Sequence, residues 1–337
     1  MDDFFALDAE QQRGYFEQAS GILGLNPASI EKDFWVCWVL RELFALPELG
    51  QNLTFKGGTS LSKGWQLIKR FSEDIDIVID RNSLRVEPPD AVDLSGKERS
   101  RRLEKLQAAC QSHIRKVLAP AFERRLNERL ADHVTWSLSF DPDDQDLQTL
   151  LFAYPSVSDT GAYVLPQVKI ELGARSDTDP SQTPHIQSYL ADALPGEMRS
   201  PSFQVRTVAP ERTFWEKAML LHEEAHRTAS TGPKLRLARH YYDLWCLINS
   251  GIAAAAANSP GLFERVAAHR VVFFRKNKEA QKSLRQGSLA LLPVEAHRRA
   301  WAEDYAAMRE THFFDEPPDF DEILRVVANF EKQFNLK

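Results

Sequence analysis

Phe55-Lys56-Gly57-Gly58-Thr59-Ser60-Leu61-Ser62-Lys63, then ten residues, then Asp74-Ile75-Asp76-Ile77 is the stretch on which the reading of this chain turns. The apolar run at 53–55 reads as a strand, Gly57-Gly58 as a tight turn, residues 59–68 as a helix and residues 75–79 as a second strand. Free N–H groups and the dipole at the start of such a helix favour phosphate, and glycines let the backbone come close to a bound nucleotide. Gly57, Gly58, Thr59 and Ser60 are therefore candidate nucleotide-binding residues. Lys63, one turn further on, is a second candidate, although a lysine facing solvent fits the same spacing.

Side chains alternate along a strand, so Asp74 and Asp76 share one face while Ile75 and Ile77 point into the core. Two carboxylates about 6 Å apart repel by roughly 3 kcal/mol at an effective dielectric near 20, and a divalent cation between them reverses that cost. An oxygen-only site favours Mg²⁺ or Mn²⁺. Glu171, in Lys169-Ile170-Glu171-Leu172, has the same apolar, acid, apolar setting and is the candidate third metal carboxylate. An isolated pair of this kind also reads as a solvated strand end; the glycine turn upstream is what favours the metal.

Outward from this core, Asn26-Pro27 supplies an N-cap and first turn for a helix carrying Ile30, Phe34, Cys37, Leu40 and Phe44 at helical spacing. Residues 97–130 read as helix with a break near Pro120, followed by strands at 134–140, 149–154, 167–172 and 203–208. Beyond residue 200 nearly everything reads as helix. The expected architecture is α/β (α+β): a mixed-sheet core with a helical preface over residues 1–200, and a helical C-terminal lobe over 201–337 that closes a nucleotide cleft.

The 337 residues include 43% hydrophobic and 27% charged side chains, the composition of a globular protein. Cys37, Cys110 and Cys246 are odd in number and far apart, which argues against a disulfide framework and for a reducing cytosol. An acidic N-terminus and no apolar run of membrane-spanning length make secretion and insertion unexpected. The net charge is -6, yet residues 97–129 hold ten Lys/Arg against four Asp/Glu. That stretch and a second at 270–285, with Phe273 and Phe274 embedded, offer phosphate neutralisation and stacking to RNA; solvated helix faces are the alternative.

Lys56-Gly57-Gly58-Thr59-Ser60-Leu61 followed by Arg70-Phe71-Ser72-Glu73-Asp74-Ile75-Asp76 resembles the first motif of the AbiEii nucleotidyltransferase toxins, a family of the DNA polymerase β-like superfamily. Glu31-Lys32-Asp33-Phe34-Trp35 is similar to that family's early helix, Thr213-Phe214-Trp215-Glu216-Lys217-Ala218 to its lysine motif and Arg239-His240-Tyr241-Tyr242-Asp243-Leu244 to its aspartate motif. The resemblance implies that Lys217 contacts the nucleoside triphosphate and that Asp243 orients Lys217 or the substrate. Spacing alone would instead pair Asp243 with Arg239 along an ordinary helix. It further implies transfer of a nucleoside monophosphate to an RNA end, with tRNA the attested acceptor, causing growth arrest or phage defence by abortive infection until a separately encoded antitoxin neutralises it. Residues 287–293 also resemble a family feature.

Two other readings compete. His222-Glu223-Glu224-Ala225-His226 fits the HExxH pattern, in which two histidines one helical turn apart bind zinc beside a glutamate base, as in metalloproteases. No glycine-spaced third histidine follows. Alternatively, a catalytically degenerate core binds nucleotide or RNA as a regulator; the intact acid pair and Lys217 count against that.

Overall fold

The computed structural model describes the chain except residues 131–133, 159–164, 200, 229–231, 233, 235, 275–276, 314–315 and 337. It divides into two compact units, Met1–Gly64 with Ser72–Val208, and Trp65–Phe71 with Ala209–Lys337. None of the described helices is long and apolar enough to cross a membrane.

The first unit opens with α1 (Ala9–Leu23) and α2 (Pro27–Phe44). Asn26 caps α2 by accepting from the Ala28 amide, and Pro27 costs nothing in a first turn whose N–H would be unused. Buried side chains surround α2, so it runs through the core and its sequence lacks a polar stripe. Trp35 stacks on Tyr154 at 5.1 Å, and Trp38 packs beside Phe152.

Next come β1 (Leu53–Lys56), the single turn α3 (Gly57–Thr59), β2 (Ile75–Ile79), α4 (Gly96–His113) and α5 (Ala119–Arg129). The helix expected over 59–68 is shorter than its sequence suggests: α3 passes into a π turn at Ser60–Gly64 and stops. At that point a side chain on Gly64 would press on Pro184 at 3.2 Å. The break expected near Pro120 is a π turn, Ile114–Leu118, that joins α4 to α5 and precedes the residue lacking an N–H.

The strands β3 (Ser137–Phe140), β4 (Thr149–Ala153), β5 (Gln167–Gly173), β6 (Ser181–Gln182) and β7 (His185–Gln187), the helix α6 (Tyr189–Ala193), and β8 (Ser202–Gln204) and β9 (Thr207–Val208) complete the unit. Among the described residues, seven strands form one mixed sheet in the order β3-β4-β5-β2-β1-β9-β6. The strand expected at 203–208 is two: β8 pairs with β7 as a separate ribbon, and β9 joins β1 in the main sheet. Fold class and mixed sheet thus agree with expectation.

The second unit is helical: α7 (Pro210–Ala225), α8 (Arg239–Asn249), α9 (Ile252–Asn258), α10 (Leu262–Phe273), α11 (Lys278–Ser283), α12 (Arg298–His312) and α13 (Phe320–Asn335). Trp215, Phe263, Phe330 and Phe334 form its aromatic centre, with Trp215 4.9 Å from both Phe263 and Phe334. Cys37, Cys110 and Cys246 are buried, unbridged thiols on α2, α4 and α8.

Candidate active site

In the first unit, β2 lies between β1 and β5, and its register sets the site. Asp76 is paired with Lys56 on β1 and with Glu171 on β5, while Glu171 is also paired with Thr149 on β4. Residues opposite one another in a sheet show side chains on one face, about 5 Å apart across each strand pair. Lys56, Asp76 and Glu171 therefore form one row, and Asp74 lies one residue before β2 begins. Ile75 and Ile77 anchor the other face in the core.

The glycine turn is fitted to Asp76. Gly57 has φ +83°, and a Cβ placed there would lie 1.9 Å from Asp76 Oδ2, so only glycine allows the carboxylate to rest against the turn. Thr59 Oγ1 donates to the Asp74 carbonyl at 2.5 Å and lies 2.9 Å from Ser72 Oγ, while Ser60 Oγ donates to the Gly57 carbonyl at 2.9 Å. Both hydroxyls are spent on holding the turn and the start of β2 together, which leaves the backbone of the turn as the part able to meet a nucleotide.

Lys63 does not face solvent. Its amine is buried, 2.8 Å from Asp33 Oδ1 and 3.5 Å above the centre of the Tyr189 ring, and Asp33 also accepts from the Tyr189 amide. These contacts link α2, the π turn and α6. Glu73, two residues before β2, pairs with Lys32 at 2.5 Å.

Carboxylate oxygens at Asp74 and Asp76 fit a hard divalent cation, and the Gly57 turn leaves room for the Asp76 carboxylate. Glu171 is exposed and lies 3.4 Å from Lys169 Nζ, which Asp141 shares at the same distance. Among the described residues no three His, Cys, Asp or Glu side chains converge as a metal site. Asp76 is thus the carboxylate fitted to the turn, and Glu171 stands beside it through register.

In the second unit, Lys217 Nζ lies 2.8 Å from Asp243 Oδ2, and the same carboxylate takes two hydrogen bonds from Arg70, Nε to Oδ1 at 2.7 Å and Nη2 to Oδ2 at 2.8 Å. All three are buried. Asp243 thus pairs with residues far away in sequence, where spacing had suggested Arg239. Burial pushes the Asp243 carboxyl up, but Arg70 and Lys217 overcome it and hold the group well below the usual carboxylate range. Burial lowers the Lys217 amine, Asp243 opposes the fall and Arg70 adds to it. His240 Nδ1 is buried with no hydrogen-bond partner among the described residues, and burial followed by the Lys217 charge holds the ring neutral. Sequence reasoning gave Arg70 and His240 no role; nothing local marks a contact made across 173 positions.

The HExxH residues do other work. His222 Nδ1 accepts from the Ala290 amide at 3.0 Å, so Nε2 carries the proton that it gives to the Ala280 carbonyl at 2.9 Å. His226 Nδ1 donates to the His222 carbonyl at 2.8 Å, and its Nε2 lies 3.0 Å from Ser283 Oγ. Glu223 is held by the fork of Arg270 at 2.5 and 2.9 Å. Ring nitrogens and carboxylate are all occupied by the protein, which corrects the zinc reading. The same contacts explain residues 287–293: Leu289 pairs with the Asn335 side chain, Ala290 with His222, and the Leu291 carbonyl with Tyr241 Oη at 2.8 Å.

The basic stretches are partly neutralised. Arg101 and Arg102 pair with Glu98, and Arg125 and Arg129 with Glu42, whereas Lys97, Lys105, Lys116 and Arg124 are exposed. In the second stretch residues 275–276 lie outside the described residues, Arg270 is taken by Glu223, and Phe273 is buried and so withheld from stacking.

Among solved structures the chain is similar to MenT4, a nucleotidyltransferase toxin of Mycobacterium tuberculosis, at 17% identity and a TM-score of 0.36, covering 87% of this chain and 99% of that one. A comparison with curated proteins finds no match. The sequence matches the family described as nucleotidyl transferase AbiEii toxin, type IV toxin–antitoxin system, over residues 38–326. With that match covering most of its length, the chain belongs to the AbiEii family of nucleotidyltransferase toxins.

Proposed function

We propose that this nucleotidyltransferase moves a nucleoside monophosphate from a nucleoside triphosphate to the 3′ end of an RNA, preferably tRNA, with release of pyrophosphate. The observation that carries the reading is the fit of Asp76 to the Gly57 turn, in register with Glu171. Asp74 and Asp76, with Glu171 as third carboxylate, would hold Mg²⁺ or Mn²⁺, which supplies charge neutralisation at the reacting phosphate. Gly57 and Gly58 admit the nucleotide to the backbone of the turn, where Thr59 and Ser60 contribute their amides. Lys56, on the same sheet face as Asp76, adds a cation. Lys217 is assigned to the triphosphate and Asp243 to its support, the roles the family resemblance carries to them.

The biological part of the proposal is growth arrest or phage defence in the cytoplasm, relieved by a separate antitoxin. The biochemical test incubates purified protein with total RNA, Mg²⁺ and each α-labelled nucleoside triphosphate beside Asp76→Ala and Lys217→Ala. Label is expected in small RNA with wild type alone; equal labelling by Asp76→Ala would remove the carboxylate site from the mechanism.

A further inference from the structure

We propose that Arg70 is a positioning residue for Lys217 and acts through Asp243; the inference rests on the nucleotidyl-transfer reading above. Arg70 stands in the sequence between the glycine turn and the aspartate pair, yet its segment, Trp65–Phe71, groups with the helical unit. There its guanidinium takes both oxygens of Asp243 with two short hydrogen bonds. A planar fork on a carboxylate fixes the plane of that carboxylate as well as its charge, which a lysine, a point charge on a flexible stem, does not.

The consequence falls on Lys217. With the Asp243 plane set by Arg70, Oδ2 meets the amine from one fixed direction at 2.8 Å. An ammonium has three donors, and among the described residues only Asp243 receives one. A buried lysine with donors to spare is fitted to an anionic ligand. The charges facing it point the same way: Arg70 from its own segment and Arg239 from α8 are positive, Asp243 is the single acid, and His240 is neutral. Without Arg70, Asp243 would be left to Lys217 alone, and the amine would be drawn onto it and away from a phosphate.

The backbone of the Arg70 segment has its own anchors, which makes the side chain testable without dismantling the unit. The Lys69 amide donates to Tyr242 Oη at 3.3 Å, Arg70 bridges to Phe313 through the backbone, and the Tyr242 ring meets Phe313 edge-on at 4.6 Å.

The test is a double-mutant cycle on the dissociation constant of a non-hydrolysable α,β-methylene nucleoside triphosphate, with melting curves confirming that each variant is folded. Arg70→Gln is expected to weaken binding about tenfold in the wild-type background and not at all in Lys217→Ala, because coupled residues are not additive. Arg70→Lys, which keeps the charge and loses the fork, should fall between wild type and Arg70→Gln. In parallel, side-chain NMR of the Lys217 amine, assigned by its loss in Lys217→Arg, should titrate at higher pH in Arg70→Gln, since a neighbouring cation is gone. Equal weakening in both backgrounds, or an unmoved Lys217 titration, overturns the positioning role. A wild type that binds no triphosphate while the amine still shifts with Arg70 retires the nucleotide reading and supports the coupling.

Discussion

Gly57 and Asp76 show how tightly single residues are fitted to one another. The backbone at Gly57 is left-handed, and the space where a Cβ would stand is occupied by the Asp76 carboxylate at 1.9 Å. Gly57→Ala therefore meets two penalties, a strained φ of about 1 kcal/mol and an overlap that has to displace Asp76. Nucleotide transfer should fall at least about a hundredfold while the melting temperature drops only a few degrees. Transfer rate and thermal melt measured together decide it: full activity in a folded Gly57→Ala protein would detach the turn from the chemistry. Lys63 makes the opposite point. Its spacing from the glycine turn says nothing of burial, yet Asp33 and the Tyr189 ring hold it inside.

At the level of elements, α7 carries two motifs with different fates. Lys217 joins Asp243 on α8, whereas His222, Glu223 and His226 are bound to α10, α11 and residues 280–290. Helical periodicity explains the division: Lys217 and His222 are five residues apart and lie on different sides of the helix. Removing the glutamate that a zinc mechanism would need thus tests the division. Glu223→Gln should leave nucleotide transfer within about twofold of wild type and cost on the order of 1 to 3 kcal/mol in urea unfolding, because Arg270 loses a charged partner. Abolished activity in a stable Glu223→Gln protein would bring a catalytic role back to the HExxH residues. The β2 strand makes a different contribution, since its neighbours on both sides set which side chains stand beside Asp76.

For the whole molecule, membership in a type IV toxin–antitoxin family predicts a phenotype. Induced expression of the wild-type chain should arrest growth, Asp76→Ala should not at equal protein level, and co-expressed antitoxin should restore growth to the wild type. Plating efficiency with immunoblot-matched expression reads all three; arrest by Asp76→Ala would place toxicity outside the nucleotidyl-transfer site. The net charge of -6 offers no general attraction to RNA, so acceptor binding on the present reading relies on local groups such as Lys97, Lys105, Lys116 and Arg124, which are exposed.

The local features were legible because they depend on neighbours in the chain. Asn26-Pro27 starts α2, the alternation in Ile75-Asp76-Ile77 makes β2 and turns Asp76 to the face opposite the two isoleucines, and Gly57-Gly58 makes the turn. The family resemblance was legible for the same reason, through short motifs in a fixed order. Other features needed the folded chain. Glu171 came beside Asp76 through strand register, which is set by packing of the sheet faces and not by sequence distance. The π turn that shortens the helix after Gly57, the splitting of 203–208 into two strands and the burial of Lys63 likewise follow from what packs around them. Arg70 is the clearest case. It lies inside the motif read first, but its partner Asp243 is 173 residues away, and a guanidinium buried by folding must find a carboxylate wherever the core brings one.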